Sequence, residues 1–138
     1  MNTATARYAG HLRTEATHTA SGTTILTDAP VDNHGRGEAF SPTDLVSAAL
    51  GSCMMTIMGI VAERLTLDLT GAAYAVTKHM AADPRRIRQI DVLFRLPATL
   101  SPKERAILEN AALTCPVALS LNPEIRQEVR FEYGEAVR

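Results

Sequence analysis

Polar and apolar positions change period repeatedly along this chain, and each change predicts an element. Residues 6–28 mix small, apolar and polar side chains in loose alternation. "ARYAGHLRTEATH", the turn signal Ser21-Gly22 and "TTILT" predict a β-rich hairpin or meander. "DAPVDNHGRGEAF" (28–40) carries the Asp, Asn, Gly and Pro of a loop. At 13 residues it is long for a compact domain, a length that loops with a function more often reach. Ser41 followed by Pro42 is a helix start, and Asp44 adds favourable charge three residues after the cap. The helix is expected to run to about Leu65. "TLDLTGAAYAVTKHMA" (66–81) returns to strand chemistry, and "DPRR" (83–86) makes a turn. In "IRQIDVLFRLPA" (87–98), Ile90, Val92, Phe94 and Leu96 share one side against Gln89, Asp91 and Arg95. These two strands read as a long hairpin. "SPKERAILENAAL" repeats the Ser-Pro start, "TCPVALSL" is a short helical turn broken by Asn122-Pro123, and "EIRQEVRFEYG" alternates as a closing strand. The order β-β-α-β-β-α-α-β, grouped in blocks within one domain over 1–138, predicts an α+β fold with an antiparallel sheet.

The first helix is unusual in carrying no charge on any face from Leu45 to Ala62, 18 residues. That length is at the lower limit of a membrane span. Ser47, Gly51, Ser52, Thr56 and Gly59 lower its hydrophobicity, and Glu63-Arg64 follow without a basic cluster. A helix apolar all round is otherwise buried on all sides. One sheet of a small domain covers only one side, so the other is expected to meet the same helix of a second subunit. Ala48, Gly51, Ser52 and Gly59 would permit close approach in such a homodimer.

Composition narrows the partners. With 138 residues and a net charge of −1, the chain lacks the basic balance that sustained phosphate contact needs, so no nucleic-acid partner is expected. "MNTATARYAGHLRTEATH" has no apolar h-region, which points to the cytoplasm. Two cysteines and four scattered histidines do not make a zinc spacing, so neither metal nor cofactor is expected.

The two cysteines carry the candidate chemistry. A buried Cys53 alone would be a small hydrophobe. Cys115 precedes Pro116 and so sits at a helix start, where backbone N–H groups are expected to favour a thiolate. Two such thiols in a cytoplasmic chain suit a dithiol/disulfide couple. A thiol desolvated in mid-helix would need a cationic partner to ionise, and an arginine stays charged there. Met54, Met55 and Met58 are open to two readings, an apolar substrate lining or plain core. His18 and His34 are either proton-transfer aids or surface residues.

"SPTDLVSAALGSC" (41–53), followed far downstream by Cys115-Pro116-Val117 before a closing strand, resembles the OsmC/Ohr family. These are the osmotically inducible and organic hydroperoxide resistance proteins. The approach "HGRGEAFSP" suggests a general OsmC-like branch rather than the hydroperoxide-resistance branch proper. The resemblance spans about Tyr8 to Tyr133. It implies an OsmC-like fold, with antiparallel sheets wrapping two central helices in an intertwined homodimer, and active sites at the interface. It implies a cofactor-free, thiol-dependent peroxidase acting on organic hydroperoxides, with hydrogen peroxide as a further substrate, in oxidative stress defence. Cys53 matches the peroxidatic cysteine, oxidised to a sulfenic acid, and Cys115 the resolving one, which condenses with it to a disulfide. An external dithiol restores the pair. An arginine held by an acid activates the first cysteine. Arg13 is the first choice for it, with Arg7 and Arg36 behind. The family's glutamate position is occupied here by Thr43, leaving Asp44 and Glu38 as candidate acids. The alternative function is a non-catalytic dimer of the same fold that binds a small ligand or senses redox state.

Overall fold

The computed structural model describes residues 1–134. The chain divides within its longest helix into two compact units, Met1–Val46 and Ser47 onward.

The first unit is a meander of three antiparallel strands, β1 (Ala4–Gly10), β2 (Arg13–His18) and β3 (Thr24–Asp28), in the order β1-β2-β3. The sequence pattern ran through residues 10–12 without a break. The structure turns there, with Gly10, His11 and Leu12 all at positive φ. His-Leu is not turn chemistry, so the extra strand was hidden. The Leu12 N–H donates to the Tyr8 hydroxyl at 3.1 Å and fixes the turn. Threonine hydroxyls pair across β2 and β3, Thr14 with Thr27 at 2.5 Å and Thr17 with Thr24 at 3.1 Å. After β3 the chain makes one 3-10 turn, Val31–Asn33, and a tight loop. A Cβ on Gly35 would lie 1.7 Å from the Ala29 carbonyl oxygen, so only glycine fits. The loop returns so that the Asp28 N–H donates to the Phe40 carbonyl at 3.1 Å. Ser41 then caps helix α1 (Pro42–Arg64). The Asp44 N–H donates to Ser41 Oγ, and the Ser41 N–H donates to Asp44 Oδ2, both at 3.0 Å. This reciprocal box satisfies two orphan donors of the helix start.

The second unit holds the apolar core. Among the described residues, every buried apolar side chain lies between Leu50 and Cys115. One stripe of α1 is buried, made of Ser47, Leu50, Gly51, Met54, Met58 and Ala62. The opposite stripe, Ala49, Ser52, Thr56 and Ile60, is exposed. By length and composition alone α1 is apolar enough to cross a membrane, but this stripe of it is core.

Strand β4 (Ala73–Ala81) starts later than its composition suggested. Residues 66–72 form a turn instead. Thr66 and Gly71 take positive φ, and the Thr70 N–H donates to Asp68 Oδ1 at 2.8 Å. Such local side-chain bonds compete with a strand ladder. Strand β5 (Arg86–Leu96) buries Ile90, Val92, Phe94 and Leu96 on one face, as the alternation required. Helix α2 (Pro102–Leu113) opens with a Ser101–Glu104 capping box, and Cys115 caps helix α3 (Pro116–Ser120). Strand β6 (Arg126–Tyr133) pairs with β5 in parallel, while β4 pairs with β5 antiparallel. The sheet order β4-β5-β6 is therefore mixed rather than wholly antiparallel. The two intervening helices carry the chain back to the end where β5 began, which a parallel neighbour requires.

Tyr74 on β4 locks this sheet onto α1. Its hydroxyl donates to the Ala48 carbonyl at 3.1 Å and lies 2.5 Å from Ser52 Oγ. Its ring passes over Gly51 and leans on Phe94, with centroids 6.0 Å apart. Phe94 in turn stacks on Phe131 of β6 at 5.4 Å.

Candidate thiol site

Both cysteines lie in the second unit and both are free thiols. Cys53 is half-buried, on the border between the covered and uncovered stripes of α1. Cys115 is fully buried at the start of α3. The Cys53 side chain neighbours Cys115 closely enough to affect its thiol. The N-cap geometry aims the Cys115 sulfur at the free N–H groups of α3, and Sγ accepts from the Ala118 N–H at 3.4 Å.

That N–H bond was expected to hold Cys115 as a thiolate, and here the expectation is corrected. Burial pushes the Cys115 thiol up, and this outweighs the helix start, which is only five residues long. The neighbouring Cys53 works in the same direction. The pair is thus unequal. Cys115 is enclosed and protonated, and Cys53 is the partly open member.

The first unit holds the arginine site. Arg13 donates from Nε to Asp28 Oδ1 at 2.7 Å and from Nη2 to Asp28 Oδ2 at 2.8 Å, a bidentate fork. Asp28 has no solvent exposure, and its Oδ2 also accepts the Glu38 N–H at 3.1 Å. The Arg13 hydrogen bonds hold the Asp28 carboxyl below the usual carboxylate range, against the opposing effect of desolvation. Asp28 in return raises Arg13.

The other candidates fall into distinct places. Glu38 has its carboxylate 4.0 Å from Arg13 Nη2 and largely exposed, so it is an outer, weaker neighbour. Asp44 serves the cap of α1. Arg7 pairs with Glu15 at 2.9 Å on the exposed side of the meander. Arg36 contributes only longer-range charge to Asp28. His18 shares a 2.7 Å hydrogen bond with Ser21, and His34 ends the 3-10 turn; both are exposed. Met54 and Met58 are fully buried core, and Met55 is half-buried. Among the described residues no group of three His, Cys, Asp or Glu side chains is placed to hold a metal ion.

Asp28 and Tyr74 were missed from the sequence. The signal for Asp28 lay in the β2–β3 register. The Ser21-Gly22 turn pairs Thr17 with Thr24 and, stepping outward, Arg13 with Asp28. Tyr74 carries no such signal, because its partner on α1 is a glycine and a backbone carbonyl.

Comparison with known proteins places this architecture. The model of the family described as OsmC-like protein matches residues 35–130. A crystal structure from Psychrobacter arcticus 273-4, provisionally described as an osmotic stress induced and detoxification response protein, is 50% identical. The match covers 95% of this chain and 96% of that one, with a TM-score of 0.92. An organic hydroperoxide resistance protein OsmC from Legionella pneumophila is 19% identical, with 96% and 98% of the chains covered and a TM-score of 0.70. A protein of Vibrio cholerae O1 biovar eltor, provisionally an organic hydroperoxide resistance protein, was solved with captopril in one of its active sites. It is 16% identical over 95% and 92% of the chains, with a TM-score of 0.72. At those identities the last two speak for the fold alone. A search of curated proteins gives no match.

Proposed function

This chain belongs to the OsmC-like protein family, and from that premise we propose that it is a thiol-dependent peroxidase for organic hydroperoxides, in oxidative stress defence. The observation that carries the reading is that the two thiols of the second unit are neighbours, Cys53 half-open and Cys115 enclosed, with Cys53 close enough to help raise the Cys115 thiol.

The cycle follows from that geometry. The Cys53 sulfur, as thiolate, attacks one peroxide oxygen with an electron pair. The O–O bond breaks, the alkoxide leaves and takes a proton, and Cys53 becomes a sulfenic acid. A thiolate in mid-helix needs a positive charge, and Arg13 is the residue we propose for that role. Cys115 then loses its proton and attacks the Cys53 sulfur. The S–O bond breaks, water leaves, and a disulfide forms at about 2.05 Å. An external dithiol reduces it by exchange. No cofactor enters the cycle. The compartment we propose is the cytoplasm.

The proposed acting form is a homodimer. The first unit supports this, because it contains no buried apolar side chain among the described residues while leaving Tyr8, Leu12, Ile25, Leu26, Val31 and Phe40 exposed. A sheet of three strands needs a covered apolar face to be stable. The uncharged open stripe of α1 has the same need.

The test is consumption of cumene hydroperoxide by purified protein with dithiothreitol as reductant. Before the reductant is added, wild-type protein should lose both thiols per equivalent of peroxide, and Cys53→Ser should stop consumption. Absence of peroxide-dependent thiol loss in the wild type would refute the peroxidase and leave the non-catalytic dimer.

A further inference from the structure

We propose that Gln127 is a positioning residue for Cys115, holding the short helix α3 so that a backbone N–H stays on the Cys115 sulfur. The inference rests on the peroxidase reading for the task of Cys115, and on the geometry of the second unit for everything else.

The alternation along β6 singles the residue out. It puts Gln127, Val129, Phe131 and Tyr133 on one side of the strand, and Gln127 is the amide in an otherwise apolar and aromatic row. Phe131 stacks on Phe94, and the Tyr133 hydroxyl donates to Glu109 Oε2 at 2.6 Å, so this side faces the core and α2. In the parallel register Gln127 lies opposite Ile90, whose side chain is fully buried. A half-buried amide in such a place needs a partner. It has one on α3, where Gln127 Nε2 donates to the Ala118 carbonyl at 3.0 Å.

That carbonyl is one the helix does not satisfy by its own winding. Helix α3 spans five residues, and the chain leaves it at Leu121 in an extended conformation, with φ −74° and ψ 152°. The N–H four residues beyond Ala118 belongs to Asn122, past that exit. The Cys115 and Val117 carbonyls are met from the same stretch, by the N–H groups of Leu119 and Leu121, each at 3.1 Å. Ala118 is therefore gripped on both sides. Its N–H donates to Cys115 Sγ at 3.4 Å, and its carbonyl is tied to the sheet through Gln127. So short a helix does not sustain itself. Without the tie, the N–H on the sulfur depends on the winding of five residues. Burial raises the Cys115 thiol most, and the Ala118 N–H is the largest effect that opposes it. Gln127 thus governs, through Ala118, how readily the resolving thiol ionises once Cys53 is oxidised.

The test uses full-length Gln127→Met, which keeps the length and loses the donor, and Gln127→Lys, which keeps a donor. Both are read on protein whose circular dichroism matches wild type. Cys115 is titrated by thiolate absorbance at 240 nm in the Cys53→Ala background, which removes the neighbouring thiol. Gln127→Met should raise the midpoint by about 0.5–1 pH unit. Gln127→Lys, with a donor and a positive charge, should leave it at or below the value with Gln127 in place. In the two-cysteine protein without reductant, Gln127→Met should oxidise Cys53 with cumene hydroperoxide at the wild-type rate. Disulfide formation should then slow about 10-fold. Excess peroxide should carry the waiting Cys53 on to a sulfinic acid, seen by intact mass. An unmoved midpoint in Gln127→Met, an equal rise in Gln127→Lys, or a slowing of both steps alike would overturn the proposal. The titration needs no peroxidase activity. A wild type that consumes no peroxide, with a midpoint that Gln127→Met still raises, would refute the peroxidase and leave the hold of Gln127 on Cys115 intact.

Discussion

Gly51→Ala is the most demanding test of how β4 is seated on α1. In an exposed helix this exchange gains about 1 kcal/mol of helix propensity. Here the new Cβ would lie 2.3 Å from Tyr74 Cε1, 2.5 Å from Cδ1 and 3.0 Å from Cζ. The ring has no easy retreat, being held at one end by Ala48 and Ser52 and at its face by Phe94. Overpacking of this kind costs about 1–3 kcal/mol. Release of the phenol from its two partners costs about 1 kcal/mol for each bond. After the propensity gain, the net loss is about 2–4 kcal/mol. For a domain of this size that lowers the melting temperature by roughly 4 °C per kcal/mol. Thermal melts followed by circular dichroism measure it directly. The decisive control is the same exchange in a Tyr74→Ala background. With the ring gone, Gly51→Ala should become stabilising by about 1 kcal/mol, the ordinary helix value. A melting temperature raised by Gly51→Ala in the wild-type background would show that Tyr74 does not sit on the glycine, and the argument would fail.

The two thiols give further predictions. Cys115→Ser should consume one equivalent of peroxide and stop as a dimedone-reactive sulfenic acid on Cys53, seen as a mass adduct; peroxide-treated Cys115→Ser that gives no adduct on Cys53 would contradict the assignment. Because the Cys115 thiol is raised above its ordinary value near 9, its neutral form stabilises the fold fully below that pH, and the stability is lost as pH climbs past it. The urea midpoint of reduced protein should therefore fall above about pH 9 more steeply in wild type than in Cys115→Ala. In Cys53→Ala, Cys115 should titrate at lower pH than in wild type, because two of the three causes that raise it come from Cys53. Thiolate absorbance at 240 nm reads this, and an unchanged titration would mean that the sulfurs are not neighbours.

Much of the fold was legible because it rests on local or periodic signals. Ser41-Pro42 and Ser101-Pro102 mark helix starts through orphan N–H groups that the next residues satisfy. The Ile90–Leu96 alternation reports one buried face of β5. The features that escaped depend on pairing. The break at residues 10–12 is enforced by β2 folding back on β1 rather than by turn-forming residues. The parallel run of β6 beside β5 depends on where α2 and α3 deliver the chain. Arg13 was the first choice among three arginines, while Cys53 and Cys115 stand out as the two cysteines of the chain. Asp28 did not, because it looks like the first residue of a polar loop until the strand register sets it opposite Arg13. The charge state of Cys115 also escaped. A Cys-Pro at a helix start announces the N–H donors but not the burial that overrules them.

That burial makes sense of the pair within the proposed cycle. A resolving thiol ionised from the outset would compete with Cys53 for peroxide and would repel its charge. Cys115 avoids both by remaining enclosed and protonated while Cys53 is reduced. Oxidation of Cys53 changes the balance. A sulfenic acid is neutral at sulfur, so within the proposed cycle the part that Cys53 plays in raising Cys115 shrinks, while burial remains and the Ala118 N–H still favours the thiolate. In the proposed cycle the resolving thiol thus becomes easier to ionise at the step that calls for it, and the sulfur it must attack belongs to a neighbouring side chain. The order of the two reactions in that cycle then follows from electrostatics between neighbouring sulfurs.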